Sequence, residues 1–155
     1  MTSHDDAPWL TAQEQQAWRA WIAATLLLQD RLGRDMQEQH GLSFADYEIL
    51  VQLSEHPDRR MRMSDLAERT LSSRSRLTHQ VARMEQAGLV TRERCEDDRR
   101  GMYAILTDHG WRAIVEAAPD HVASVRRHLI DPLGPRRFTE LGRICETILA
   151  ELDED

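Results

Sequence analysis

The sequence predicts a mainly α-helical fold with one small β-hairpin set between two groups of helices. Three observations carry that prediction. Apolar residues recur at helical spacing through most of the chain. Residues 89–107 break the pattern with two short runs rich in β-branched and aromatic side chains. Glycine or proline closes most of the segments, at Gly41, Pro57, Gly88 and Gly134.

Thr11-Ala-Gln-Glu14 is a capping-box signature, in which the Thr oxygen and the Glu carboxylate satisfy exposed amides at a helix start. A long helix should follow, from about Ala12 to Gln39, with Trp18, Trp21, Ile22, Leu26, Leu28, Leu32 and Met36 spread over a broad apolar face. Ser43 caps a second helix, Phe44 to Glu55, which His56-Pro57 stops. Ser64 is the expected cap of a short third helix, Asp65 to Thr70. After the turn Leu71-Ser-Ser73 a fourth helix runs from about Arg74 to Gln86. Leu89–Arg94 and Met102–Thr107 then read as two strands around the charged turn Cys95–Gly101. Thr107 caps a fifth helix, to about Leu129, in which Pro119 should introduce a kink. Asp131-Pro-Leu-Gly-Pro135 breaks the chain again, and Pro135 occupies the favoured first turn of a last helix reaching Leu152.

Helix, short helix, turn, longer helix and hairpin is the order of a winged helix-turn-helix. Residues 42–110 form that lobe, residues 11–41 and 111–155 are helical flanks, and residues 1–10 read as a flexible N-terminus. In such a lobe the short third helix props the fourth so that its outer face is free to enter a DNA major groove. Leu77, Val81 and Met84 mark the inner side of the fourth helix. Its first turn and outer side present Ser73, Arg74, Ser75, Arg76, Thr78, His79 and Arg83, a set without an acid. Solvated helix faces normally mix both signs, so this one is read as a DNA-binding face. Arg99 and Arg100 at the hairpin turn would suit a narrow, negative minor groove, and Asp98 would orient one of them through an ion pair.

Charge distribution agrees. The net charge of −7 argues against a nucleic-acid partner, yet residues 59–112 hold twelve Arg against eight acids. The remainder holds eight Arg against nineteen acids, so a basic centre lies between acidic flanks. All twenty basic residues are Arg, each a planar, bidentate donor.

Several other classes are excluded. No apolar run approaches the ~20 residues that span a bilayer. Met1–Pro8 is polar and acidic, unlike a secretory signal, which predicts a cytoplasmic chain. Cys95 and Cys145 fit no metal or redox spacing and should be free thiols, with Cys95 exposed among charged neighbours. His121 and His128 lie seven apart on the fifth helix, too far to chelate together, so no metal and no cofactor is expected. No phosphate loop, zinc-protease motif or nucleophile elbow is present, so the chain is not read as an enzyme. A winged helix serving protein interaction would not need a basic outer face and arginine at the wing tip.

Residues 42–110 resemble the winged-helix core of the multiple antibiotic resistance regulator (MarR) family. The stretches that carry the resemblance are Leu42-Ser-Phe-Ala-Asp-Tyr-Glu-Ile-Leu50, Ser64-Asp-Leu-Ala67, Ser73-Arg-Ser-Arg-Leu-Thr78, Met84-Glu-Gln-Ala-Gly-Leu-Val-Thr-Arg92, Asp98-Arg-Arg-Gly101 and Leu106-Thr-Asp-His-Gly110. The resemblance implies a transcriptional regulator, typically a repressor, that binds double-stranded DNA as a homodimer. The first helix would interlock with the last two, and the fourth would read the major groove while Arg100, with Arg99 beside it, enters the minor groove. The long apolar stripes of the first and last helices agree, because they need a partner to cover them. Many members of the family release DNA when a small aromatic or phenolic acid binds near the dimer helices. Trp18, Trp21, Tyr47 and His109 are the candidate lining of such a crevice, although Trp and Tyr at helical spacing also suit an ordinary core. No Cys precedes Cys95, so an oxidant sensor on the first helix is not expected.

Overall fold

The computed structural model describes residues 8–96, 98 and 100–152. The expectation for residues 1–10 therefore falls mostly outside the described residues. Helix α1 spans Ala12–His40 and α2 spans Phe44–Glu55; strand β1, Arg60–Arg62, leads into α3, Met63–Arg69. Helix α4 covers Arg74–Gln86, strands β2 and β3 cover Val90–Arg94 and Met102–Leu106, and α5 covers Asp108–Val125. A single π-helical turn, Arg126–Ile130, joins α5 to α6, Asp131–Leu152.

The fold is mainly helical with a small sheet, as the sequence predicts, but that sheet has a third strand. Its order is β1-β3-β2, antiparallel throughout, with Met61 opposite Ala104 and Thr91 opposite Ile105. Arg-Met-Arg carries one apolar residue and no period. Its strand character comes from pairing with a segment some forty positions away, which local sequence cannot reveal. Met61 is buried as a result. Because β1 runs directly into α3, that helix starts before Ser64, with Arg62 at its cap position and no side-chain cap bond. The Ser64 hydroxyl donates instead to the Asp65 carboxylate, at 3.0 Å.

The capping box of α1 forms: the Thr11 amide donates to Glu14 Oε2 at 2.7 Å and the Glu14 amide to Thr11 Oγ1 at 3.3 Å. Gly41 ends the helix at φ 66°, where a side chain would be strained. The core lies within the lobe, where Leu50, Leu53, Leu66, Val81, Val90 and Ala104 are fully buried. Gln80 of α4 is buried with them and donates to Asp46 Oδ1 of α2 at 3.0 Å, so its amide is satisfied.

Thr107 fastens the sheet to α5. Its Oγ1 donates to the carbonyls of Gly88 and Leu89, at 2.6 and 3.0 Å, and accepts from the Gly110 amide at 3.0 Å. A Cβ on Gly110 would stand 2.1 Å from the Leu89 carbonyl oxygen, so only glycine lets α5 pack this close. The flanks differ from the lobe. Helix α1 buries only Leu32 and Met36, and α6 buries no residue. Trp18, Trp21, Ile22, Leu26 and Leu27 on α1 stay exposed, as do Ile144, Ile148, Leu149 and Leu152 on α6. Pro119 is accommodated inside α5, and the break before the last helical stretch falls at Gly134, at φ 73° and ψ 164°.

Cys95 corrects another expectation. It is buried at the base of the hairpin, and its amide donates to the Gly101 carbonyl at 2.9 Å. Polar neighbours in sequence predict exposure, but the tight turn folds the thiol inward against Gly101.

Candidate nucleic-acid interface

Helix α4 is divided cleanly by its period. Leu77, Gln80, Val81 and Met84 face the core, whereas Ser73, Arg74, Ser75, Arg76, Thr78, His79 and Arg83 are all exposed. Ser73 caps the helix, its Oγ accepting from the Arg76 amide at 3.2 Å. That bond takes one exposed amide, and the remaining first-turn amides keep their partial positive charge toward solvent. The hydroxyl of Thr78 donates back to the Arg74 carbonyl at 2.8 Å, leaving its lone pairs outward.

The only acid on α4, Glu85, is removed from this surface by Arg92 of β2. Arg92 Nε and Nη2 donate to Glu85 Oε2 at 2.9 and 2.7 Å, and the Arg92 amide donates to Oε1 at 2.9 Å. The Arg92 side-chain hydrogen bonds hold the Glu85 carboxyl below its ordinary range, against the opposing effect of partial burial. This pair also braces the hairpin against the end of α4.

Between α3, α4 and the hairpin lies a concavity of about 440 Å³. Arg62, Arg74, Arg92 and Arg100 line it with Ser64, Thr78 and a single carboxylate, Asp98. Among the described residues that line it, arginines outnumber carboxylates even with Arg92 paired to Glu85, which makes the hollow a surface for polyanions. Of the sequence-predicted residues it gathers Arg74, Thr78, Asp98 and Arg100. Arg62, Ser64 and Arg92 were not singled out as site residues by sequence reasoning, because β3, pairing with β1 on one side and β2 on the other, brings these segments to one surface. The alternation of Arg60 and Arg62 about Met61 is the local sign that could have pointed to Arg62. Arg99 lies outside the described residues.

Asp98 is built into the turn through its backbone as well as its carboxylate, while the expected pair with Arg99 lies outside the described residues. Its Oδ1 accepts from the Arg100 backbone amide at 3.0 Å, and its carbonyl accepts from the Gly101 amide at 2.9 Å. Its Oδ2 faces Arg62 Nη1 at 4.0 Å, which links the turn to β1. The carboxylate thus shapes the backbone that presents Arg100.

The four effector candidates are not brought together within one chain. Tyr47 is buried, with its ring 4.9 Å from that of His121. Trp21 lines an apolar groove between α1 and α6, and His109 lines a separate cleft beside Arg112 and Gly41. Trp18 remains 55% exposed. The physical reason is that the lobe packs on the C-terminal part of α1, around Leu32 and Met36, and leaves the tryptophan end free.

No helix among the described residues is long and apolar enough to cross a membrane, and none of their His, Cys, Asp and Glu side chains form a group that could hold a metal ion. Known proteins share both the sequence and the fold. A sequence model of the MarR family matches residues 40–101. The fold is similar to the crystal structure of AbsC, a MarR family transcriptional regulator from Streptomyces coelicolor, with TM-score 0.89 and 52% identity over 96% of this chain and 100% of that one. It is also similar to Sco3205 from the same organism, a MarR family transcriptional regulator solved in complex with DNA, with TM-score 0.90 and 44% identity over 94% of this chain and 92% of that one. The homoprotocatechuate degradative operon repressor of Escherichia coli is 29% identical over 117 residues, 76% of this chain and 77% of that protein. An acid-free helix face beside an arginine-lined hollow, on a fold and sequence shared with these regulators, places the protein in the MarR family of DNA-binding transcriptional regulators.

Proposed function

We propose that the protein is a homodimeric repressor that binds a pseudo-palindromic operator and leaves it when a small aromatic or phenolic acid binds. The observation that carries the DNA part is the outer face of α4 set beside the four-arginine hollow. Helix α4 reads the major groove through Arg76 and His79 with their hydroxyl neighbours, and Arg100, with Arg99, enters the flanking minor groove. Arg62 and Arg74, which line the hollow between helix and wing, contact the DNA backbone.

The homodimer is supported by the uncovered apolar stripes of α1 and α6, which a monomer would leave in water. A two-fold pair sets its two α4 helices about one turn of DNA apart, hence a pseudo-palindromic site. Repression is supported by the relationship to an operon repressor. Release by a ligand is supported by the resemblance to the family, many of whose members leave DNA when a small acid binds near the dimer helices.

The test is fluorescence anisotropy on the intergenic DNA upstream of the protein's own gene, against a scrambled duplex, across a salt series. Specific binding should exceed the control by ~10³ or more and fall steeply as salt rises. Equal, weak binding to both duplexes would remove the operator reading. Addition of aromatic acids to the bound complex tests release in the same assay.

A further inference from the structure

Between residues 42 and 107 every large apolar side chain among the described residues is buried or half-buried, with one exception. Leu71 is 94% exposed. The other exposed large apolar residues lie on α1 and its approach, α5 and α6, where a second chain would cover them.

Leu71 stands in the turn between α3 and α4, two residues before the cap Ser73. Its φ of 50° lies in the left-handed region, which favours glycine over any branched side chain. The turn is pinned on both sides. The Leu71 amide donates to the Glu68 carbonyl at 3.1 Å, the Ser72 amide to the Ala67 carbonyl at 2.9 Å, and Thr70 Oγ1 to the Leu66 carbonyl at 2.7 Å. Folding explains neither property of this residue. Glycine would relax the turn, a polar side chain would suit its exposure, and no neighbour covers the isobutyl group. Strained, exposed positions of this kind concentrate where a protein meets its ligand.

Leu71 leads directly into Ser72-Ser73-Arg74, the polar start of the helix assigned to the major groove. A single apolar group beside hydrogen-bonding ones matches one feature of the base edges there. The C5 methyl of thymine is the apolar mark in the major-groove code. We propose that Leu71 is a specificity-determining residue that packs on the methyl group of one thymine in each half-site. The proposal rests on α4 being the helix that enters the groove.

The test uses duplexes enriched by the full-length chain from a random pool, with each thymine replaced in turn by deoxyuridine, which removes only the methyl. Wild type should lose about threefold to fivefold in affinity at one thymine per half-site, the worth of one buried methyl. Leu71→Gly should show that loss on the thymine duplex and no further loss on the uracil duplex, while melting no lower than wild type. Leu71→Asn, which also tolerates the left-handed region, should behave alike and shows that side-chain chemistry rather than backbone freedom is read. Variants that bind as tightly as wild type overturn the proposal, as does a loss that is the same at every thymine with or without its methyl. A wild-type chain that enriches no duplex overturns the DNA reading, and this proposal with it.

Discussion

A methyl group added at Gly110 would collide with the Leu89 carbonyl, a backbone atom that cannot swing aside. Gly110→Ala should therefore cost about 3 kcal/mol or more of stability, measured by chemical denaturation, despite lying in a helix where alanine is otherwise preferred. Arg100 is the opposite case. Its backbone amide holds the turn through Asp98, while its side chain is exposed. Arg100→Ala should leave the melting temperature unchanged and weaken operator binding by roughly tenfold to a hundredfold, read by anisotropy. An unfolded or fully active variant would count against the wing assignment. The outward residues of α4 were legible in the sequence because helical period alone separates Leu77, Val81 and Met84 from Arg74, Arg76 and Thr78. The burial of Cys95 was not, because a seven-residue turn has no period and its own geometry decides which groups face inward.

The elements divide in the same way. Helices α1 and α2 were placed almost to the residue by their caps, Thr11 and Ser43, each of which forms the side-chain bond its type suggests, and α4 by the turn before it, whose last residue, Ser73, is its cap in the structure. Strand β1 and the start of α3 escaped, because Arg60–Arg62 takes its structure from β3. The contact between α4 and β2 makes a prediction at this scale. Glu85 is held below its ordinary pKa by Arg92, so the folded state favours the carboxylate. A carboxylate lowered on folding adds stability above its unfolded value, 4.5, and loses it as pH falls through the folded value. The pair is about one-third exposed, so its worth is about 1 kcal/mol. Denaturation of wild type and Glu85→Gln should therefore converge as pH drops below 4.5. A gap that persists at about pH 3 would mean that hydrogen bonding to the neutral form suffices.

For the whole molecule, one lobe with a core is joined to helices that have none of their own. The contrast was visible in the sequence as apolar stripes too long for a chain of this size to cover. Removing the segment from Pro135 onward should leave a lobe that binds operator DNA poorly and runs as a monomer or an aggregate in size-exclusion chromatography. A soluble, active monomer would refute the dimer. For the effector candidates helical spacing cannot separate core from crevice: within one chain Tyr47 is buried, while Trp21 and His109 line separate hollows.

The stem of the hairpin hangs from the first turn of α5 through the Thr107 hydroxyl and the close contact at Gly110. In the proposed dimer the two wings are then carried on the two α5 helices as the points of a pair of dividers are carried on its legs. The span between the points follows from the angle between the legs, and the bases read by α4 do not enter into it. Substitutions that alter how the α5 helices cross should change the preferred number of base pairs between half-sites while leaving each half-site sequence as it was.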